Sequence, residues 1–230
     1  MKNNYSLVSV VVAAYNESKY LADAINSILA QKNVEFEIVF VDDGSTDDTF
    51  KIAQEIASKD YRIKVYKNPK KGKCSAFNFG VQMAEGAYVC IFAGDDIMPV
   101  DSLAKRYHMI KDFNNEIPTV GLSKLVTMSD MPKFNGHLVP KAVGRGGLSG
   151  VSPLMNRLAL NFIFPVPEDL PNEDTWMELA MLHIDELKLI HSDIICCKWR
   201  VHSGNSLNMT LPYQEYNQRM TKRFAAYSRF

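Results

Sequence analysis

The stretch Tyr88-Val-Cys-Ile-Phe-Ala-Gly-Asp-Asp-Ile-Met-Pro99 decides how this chain is read. Tyr88 to Ala93 has the length and apolarity of a buried parallel strand. Gly94 lets the backbone turn without a Cβ penalty. Asp95 and Asp96 follow at the strand's C-terminal end, where open α/β sheets place their ligands. Adjacent carboxylates repel, so a cation belongs beside or between them; a divalent metal carrying a phosphate ester is the economical one. An isolated Gly-Asp-Asp is equally a turn and helix cap before the helix expected at Ser102–Phe113, whose expected N-cap is Asp101.

Upstream, Leu7-Val-Ser-Val-Val-Val-Ala-Ala14 is a continuous apolar, β-branched run, which reads as a central parallel strand. It ends in the polar turn Tyr15-Asn-Glu-Ser18, and Leu21, Ile25, Ile28 and Leu29 follow at helical spacing. No Gly-x-Gly-x-x-Gly or phosphate-cradling P-loop follows the strand. Phe36–Val41 is a second strand, followed by Asp42-Asp-Gly-Ser-Thr-Asp-Asp48. Ser45 or Thr46 can cap the next helix, with Asp47 and Asp48 in its first turn. Asp42 and Asp43 precede the glycine, at the strand end. A carboxylate there can accept hydrogen bonds from a nucleobase imide or a ribose, the role assigned to Asp43. Ile63–Tyr66 is a short third strand. Lys70-Lys-Gly-Lys73 then leads into a helix carrying Asn78 and Gly80, which ends at Gly86. Lysines, Gly72 and the helix dipole together suit a diphosphate, although a basic run by itself more often faces water.

Composition narrows the class. The 230 residues can form one α/β domain or two small ones, and 47% of them are apolar. Lys plus Arg equals Asp plus Glu at 26 each, so no global charge draws the chain to nucleic acid or an anionic membrane. No apolar run reaches membrane-spanning length, and Met1–Tyr5 does not open a signal peptide. Cys74, Cys90, Cys196 and Cys197 lack metal or redox spacing and read as reduced thiols of a cytosolic protein.

Strand–helix thus recurs four times, with carboxylates at three strand ends and lysines at another connection. The pattern resembles the family 2 glycosyltransferases of the GT-A fold. The matching stretches are Val8–Glu17, Val39-Phe-Val-Asp-Asp-Gly-Ser-Thr-Asp-Asp-Thr49, Gly72–Gly80 and Phe92–Pro99. The resemblance is strong over about residues 5–105 and looser to about residue 210. It implies an α/β, Rossmann-like nucleotide-diphospho-sugar transferase fold with a mostly parallel central sheet flanked by helices. By it, Ala14, Tyr15 and Glu17 begin the nucleotide pocket and Asp43 reads the base, usually uracil. Lys73 and Asn78 contact the diphosphate or shape the pocket. Asp95 faces the ribose or sugar, and Asp96 ligates Mn²⁺ or Mg²⁺. Many members carry a third Asp where Ala93 stands, which bears on how tightly the ion is held.

The second half should supply the acceptor side. Thr119–Val126 reads as a strand, Gly144–Gly150 as a glycine-rich segment and Pro153–Phe162 as a helix, which the resemblance places behind the acceptor. Trp176, Leu179, Ala180 and His183 form one face of a helix beginning near Glu173. The helix N-terminus alone would favour Glu173 and Asp174. Transfer to a hydroxyl needs a base, and the family's Glu-Asp pair at this place puts that role on Asp174, ahead of Asp169. Ile194–Val201 reads as a strand. Arg200 and His202, with Gly204, Asn205 and Ser206, resemble the family's closing loop: Arg200 or His202 to the diphosphate, His202 also as a metal ligand. A lone loop His is otherwise a surface hydrogen-bonding group. The tail, residues 211–230, is aromatic and basic, open to reading as a packing helix, a homodimer contact or a membrane-surface helix.

The sequence reading is therefore one GT-A domain over residues 1–210, with a nucleotide-sugar half to about 105, an acceptor half beyond it and a helical tail. The expected activity is inverting, divalent-metal-dependent transfer from a UDP-linked sugar to a hydroxyl of a glycan or lipid-linked oligosaccharide. The setting that the resemblance alone implies is bacterial surface-polysaccharide assembly in the cytoplasm, peripheral to the inner face of the cytoplasmic membrane. A sugar-nucleotide pyrophosphorylase would need a Gly-rich basic loop after the first strand, and Ala13–Glu17 is not one. A catalytically weak sugar-nucleotide or glycan-binding module of the same fold is the alternative.

Overall fold

A computed structural model describes residues 6–113, 116–148, 150–202, 205 and 211–230. Met1–Tyr5, Gly204 and Ser206, named above, lie outside the described residues. The N-terminal half alternates strand and helix: β1 (Val8–Ala14), α1 (Leu21–Leu29), β2 (Phe36–Asp42), α2 (Thr49–Ala57), β3 (Ile63–Lys67), α3 (Lys73–Met83) and β4 (Tyr88–Ala93). After it come α4 (Ser102–Ile110), β5 (Thr119–Met128), β6 (Leu138–Val139), β7 (Leu154–Asn156), α5 (Arg157–Ile163), α6 (Asp174–His183), β8 (Lys188–Arg200) and α7 (Tyr213–Arg223).

The sheet runs β3-β2-β1-β4-β7-β5-β6, with β8 pairing β5. β1 pairs β2 and β4 in parallel, and β2 pairs β3 likewise. The order therefore reverses beside β1, and the strand ends carrying Ala14, Asp43 and Asp95 meet at this switch point. β7 is antiparallel to both neighbours, and β8 is parallel to β5.

Both sheet faces are covered, which is why β1, β2 and β4 are apolar without alternation. On one face Val10, Val12, Ile38 and Phe92 pack with Leu21, Ile25 and Ile28 of α1 and Leu103 of α4. On the other, Val11, Val41 and Ile91 pack with Phe77 of α3, Leu160 of α5 and Met177 of α6. Removing a side chain such as Ile28, 0% exposed, costs about 2–5 kcal/mol. α3 lies close on the sheet: a Cβ at Gly80 would stand 2.3 Å from Val11 Cγ1.

Three local expectations change. Leu154–Asn156 is a strand, so the helix expected from Pro153 begins at Arg157. The reason is a gap between β4 and β5: Met155 fills it by pairing with Val89 and Val120. Asn156 then caps α5, accepting from Ala159 N at 3.0 Å. Asp101 does not cap α4 with its side chain; it takes the left-handed conformation at φ 60°. The strand expected from Ile194 begins at Lys188. All four cysteines are free thiols. Among the described residues, no helix is long and apolar enough to cross a membrane.

Candidate active site

Two loops at the switch point are stitched together by side chains of the Asp42–Thr49 stretch. Ser45 Oγ accepts from Asn16 N at 3.0 Å, Asn16 Oδ1 from Thr46 N at 2.8 Å, and Thr49 Oγ1 from Glu17 N at 2.8 Å. Asp47 accepts from Ser18 N at 3.1 Å and from Thr49 N at 3.0 Å. These residues therefore do more than cap a helix: they fix the loop after β1. Burial opposes ionisation of Asp47, but the donors of Thr49 and Ser18 outweigh it and hold the carboxyl at about 2. Asp42 Oδ2 accepts from Gly44 N and Ser45 N, at 3.2 and 3.1 Å.

Asp43 is buried, and its Oδ1 accepts from Gly72 N and from Asn68 Nδ2, each at 2.7 Å. The lysine loop is thus folded against the end of β2. Its member nearest the pocket aromatic is Lys71, whose Nζ lies 4.4 Å from the Tyr15 ring centroid and 3.4 Å from the Tyr15 hydroxyl. Lys73 points elsewhere: its Nζ pairs with Glu173 Oε1 at 2.9 Å. Burial disfavours the Lys73 ammonium, yet Glu173 and Asp174 raise its pKa above the usual lysine value. Asn78 is also directed away. Its amide exchanges two 2.8 Å hydrogen bonds with the backbone of Val166, clamping the loop before α6. Lys73 and Asn78, expected at the diphosphate, here tie α3 to Glu173 and to the backbone of Val166.

At the end of β4 the two aspartates differ. Asp96 turns inward, 3% exposed; its Oδ1 accepts from Arg200 N at 2.8 Å, and Cys197 Sγ donates to Oδ2 at 3.2 Å. Burial, then the charge of Asp95, pushes its carboxyl up to about 8. Both oxygens of Asp96, the residue expected to ligate an ion, are engaged within the fold. Asp95 Oδ2 instead lies 3.0 Å from His202 Nε2 and accepts from Asn205 Nδ2 at 3.2 Å. Arg200 donates through Nε to Asp95 O at 2.7 Å, and its guanidinium lies 4.4 Å from the Tyr20 ring centroid, so it braces this turn. Glu17 faces the same corner; a Cβ at Gly94 would meet its Cγ at 3.5 Å. Burial, then the charges of Asp95 and Asp47, lifts its carboxyl to about 7.

This corner has the donor chemistry of a hard divalent ion. Asp95 Oδ2 and His202 Nε2, hydrogen-bonded at 3.0 Å, are the carboxylate and imidazole here that could hold a divalent ion. Among the described residues, no three His, Cys, Asp or Glu side chains group to hold an ion by themselves. An open cleft of about 840 Å³ adjoins the corner, lined by Tyr15, Glu17, Tyr20, Met131 and His202 among others.

On the other side, Asp174 stands in the first turn of α6. A Cβ at Gly150, whose φ is +62°, would lie 2.9 Å from Asp174 Oδ1, so only glycine lets the backbone come this close. Asp174 Oδ2 accepts from Arg223 of α7, a contact sequence periodicity does not signal. Glu173 beside it is 2% exposed, and its Oε2 has no hydrogen-bond partner among the described residues. Burial raises its carboxyl, Lys73 opposes this, and Asp174 adds to the rise.

Residues 9–131 match the profile of the family described as Glycosyl transferase family 2. The chain is 35% identical over 112 residues to Glycosyltransferase GlyG of Streptococcus pneumoniae serotype 4, covering 48% of this chain and 37% of GlyG. It spans less than half the length of the curated relatives it matches. In structure it is similar to S. aureus TarS 1-349 in complex with UDP-GlcNAc, at TM-score 0.70 and 23% identity over 95% of this chain and 66% of that one. It is also similar to the mannosyltransferase PcManGT from Pyrobaculum calidifontis in complex with GDP-Man and Mn²⁺. There the TM-score is 0.67 and the identity 18%, over 97% of this chain and 64% of that one. The expected GT-A fold is borne out.

Proposed function

The chain belongs to glycosyl transferase family 2, and we propose that it transfers a sugar from a UDP-linked donor to a hydroxyl of a glycan or lipid-linked acceptor, with inversion. The observation that carries the reading is the pair Asp95 Oδ2 and His202 Nε2, 3.0 Å apart at the switch point of the sheet. TarS, bound to UDP-GlcNAc in its complex, favours a UDP-sugar; PcManGT, bound to GDP-Man and Mn²⁺, favours a metal.

Asp95 and His202 would hold Mn²⁺ or Mg²⁺, with the donor diphosphate completing the shell. Bound there, the ion would offset charge developing on the departing diphosphate. Asp43 and the Tyr15 ring frame the nucleoside, and Lys71 supplies positive charge beside it. The Ala14 carbonyl accepts from Asp43 N at 2.9 Å and fixes the floor of this pocket. Asp174 takes the acceptor proton while that oxygen attacks the anomeric carbon from the far side. Glu173, paired to Lys73, holds the start of α6 against the donor half.

Bacterial surface-polysaccharide assembly on the cytoplasmic side of the membrane belongs to the same proposal. Tyr213, Phe224 and Tyr227, 77%, 51% and 55% exposed, are the tail residues that would meet a membrane surface or a second copy. Co-sedimentation with anionic vesicles and the mass in solution test these two contacts.

Thermal unfolding with UDP, GDP, CDP and dTDP, each with Mn²⁺ or chelator, tests the donor site. A ligand at a hundred times its Kd stabilises the fold by about 2.7 kcal/mol. The expected result is a metal-dependent shift with UDP that Asp95→Asn removes. No shift with any nucleotide would move the reading to a catalytically weak glycan-binding module.

A further inference from the structure

The acceptor end of the molecule is occupied by the chain itself. Arg223 of α7 pairs with Asp174, and Arg229 pairs with Asp169. In the same segment, the Phe230 ring lies 5.4 Å from Trp176 and 5.8 Å from His183, centroid to centroid. Ala226, 1% exposed, anchors the segment in the cluster that contains Met177 and Ala180. Trp176 Nε1 donates to Ile163 O at 2.9 Å, so the indole is held from behind and offers its ring outward.

An aromatic ring and two carboxylates, all contacted by one tail segment, supply the chemistry that receives a saccharide. The apolar face of a pyranose lies on the indole, and its hydroxyls donate to the carboxylates. Phe230 stands where such a ring would lie, and the arginine N–H groups stand where its hydroxyls would donate. We propose that Trp176, Asp169 and Asp174 form the saccharide subsite of the acceptor, and that Arg223, Arg229 and Phe230 fill it as a plug which the acceptor displaces. This inference rests on the reading of Asp174 as the base.

Two consequences follow from the geometry. Arg223 covers Oδ2 of Asp174, so that oxygen is closed to an acceptor hydroxyl or a water while the plug is in place. Donor hydrolysis is therefore suppressed until a saccharide arrives. The plug is also exchangeable: the Arg229–Asp169 pair is more than half exposed on both sides, and such pairs contribute little to stability.

The test uses the full chain with Arg223→Gln/Arg229→Gln and, separately, Phe230→Ala. Amide hydrogen exchange of residues 213–230 reads the plug, and UDP release from UDP-GlcNAc with Mn²⁺ reads hydrolysis. Both rates are expected to rise at least about threefold, the size that loss of exposed ion pairs allows. Unchanged exchange, or hydrolysis that falls while the UDP-induced thermal shift persists, would overturn the plug. Asp174→Asn separates the two readings. It should accelerate exchange in the tail whether or not Asp174 is the base, because the ion pair is lost. Accelerated exchange with wild-type hydrolysis would remove the base and retain the plug; unaltered exchange would overturn the plug whatever the turnover.

Discussion

The donor half and the acceptor half satisfy their carboxylates by different means. Around the donor pocket the partners are largely backbone amides: Gly44 and Ser45 on Asp42, Gly72 on Asp43, Ser18 and Thr49 on Asp47, Arg200 on Asp96. On the acceptor side they are cationic side chains: Lys70 on Glu168, Lys73 on Glu173, Arg223 on Asp174, Arg229 on Asp169. Backbone donors are fixed by the fold and cannot leave without unfolding a turn. Side-chain cations rotate away at modest cost and yield to salt or to a competing ligand. On the proposed reading, the donor pocket is therefore preorganised, while the acceptor face is built for exchange.

The largest effect that could break this contrast is catalytic. Asp174→Asn is expected to lower kcat by about 10²- to 10⁴-fold, the range for loss of a general base. Its UDP-induced thermal shift should match that of the wild type, because the donor pocket does not use it. A lost shift would show that the halves are not separable in this way.

Next in size is Asp43→Ala, which leaves Gly72 N and Asn68 Nδ2 without their acceptor. A buried donor left unpaired costs about 1–3 kcal/mol. Denaturant unfolding should show that loss, and titration with UDP should show weaker binding, since the same carboxylate is proposed to frame the nucleoside. An equivalent deletion on the acceptor side, Asp169→Ala, should change stability by no more than about 1 kcal/mol. Equal losses at the two positions would erase the distinction.

How far the sequence revealed this arrangement follows the same division. β1, β2 and β4 were legible because double-sided burial makes their apolar runs continuous, and glycine with carboxylates marks where each ends. The loop Asp42–Thr49 was legible as a site, though its stitching to Asn16, Glu17 and Ser18 was not. Those partners are about 30 residues distant, and no periodicity links them. β7 was hidden because three residues carry no pattern, and its place depends on the gap it fills. Which lysine faces Tyr15, and which aspartate of the Asp95–Asp96 pair turns inward, depend on side-chain direction at a turn. Arg223 on Asp174 spans 49 positions and two independent helices. Only the basic, aromatic composition of the tail hinted that it has a partner.

The smallest expected effect concerns acid, and it tests the backbone-held carboxylates directly. Asp47 has its carboxyl lowered from an ordinary 3.8 to about 2 because burial is outweighed by the donors of Thr49 and Ser18. A folded-state value below the unfolded one means that the unfolded chain binds the proton more readily. The stabilisation from Asp47 is thus complete above about pH 4 and is lost as pH falls towards 2. Asp47→Asn should lower the thermal midpoint at neutral pH and flatten its decline over that acid interval. The exposed pair Arg229–Asp169 offers the matched control, since raised salt should loosen it while leaving the Asp47 contribution in place. If salt instead removed the Asp47 effect and spared the tail, the donor loops would be held by free charges, and the rigid half would be the acceptor side.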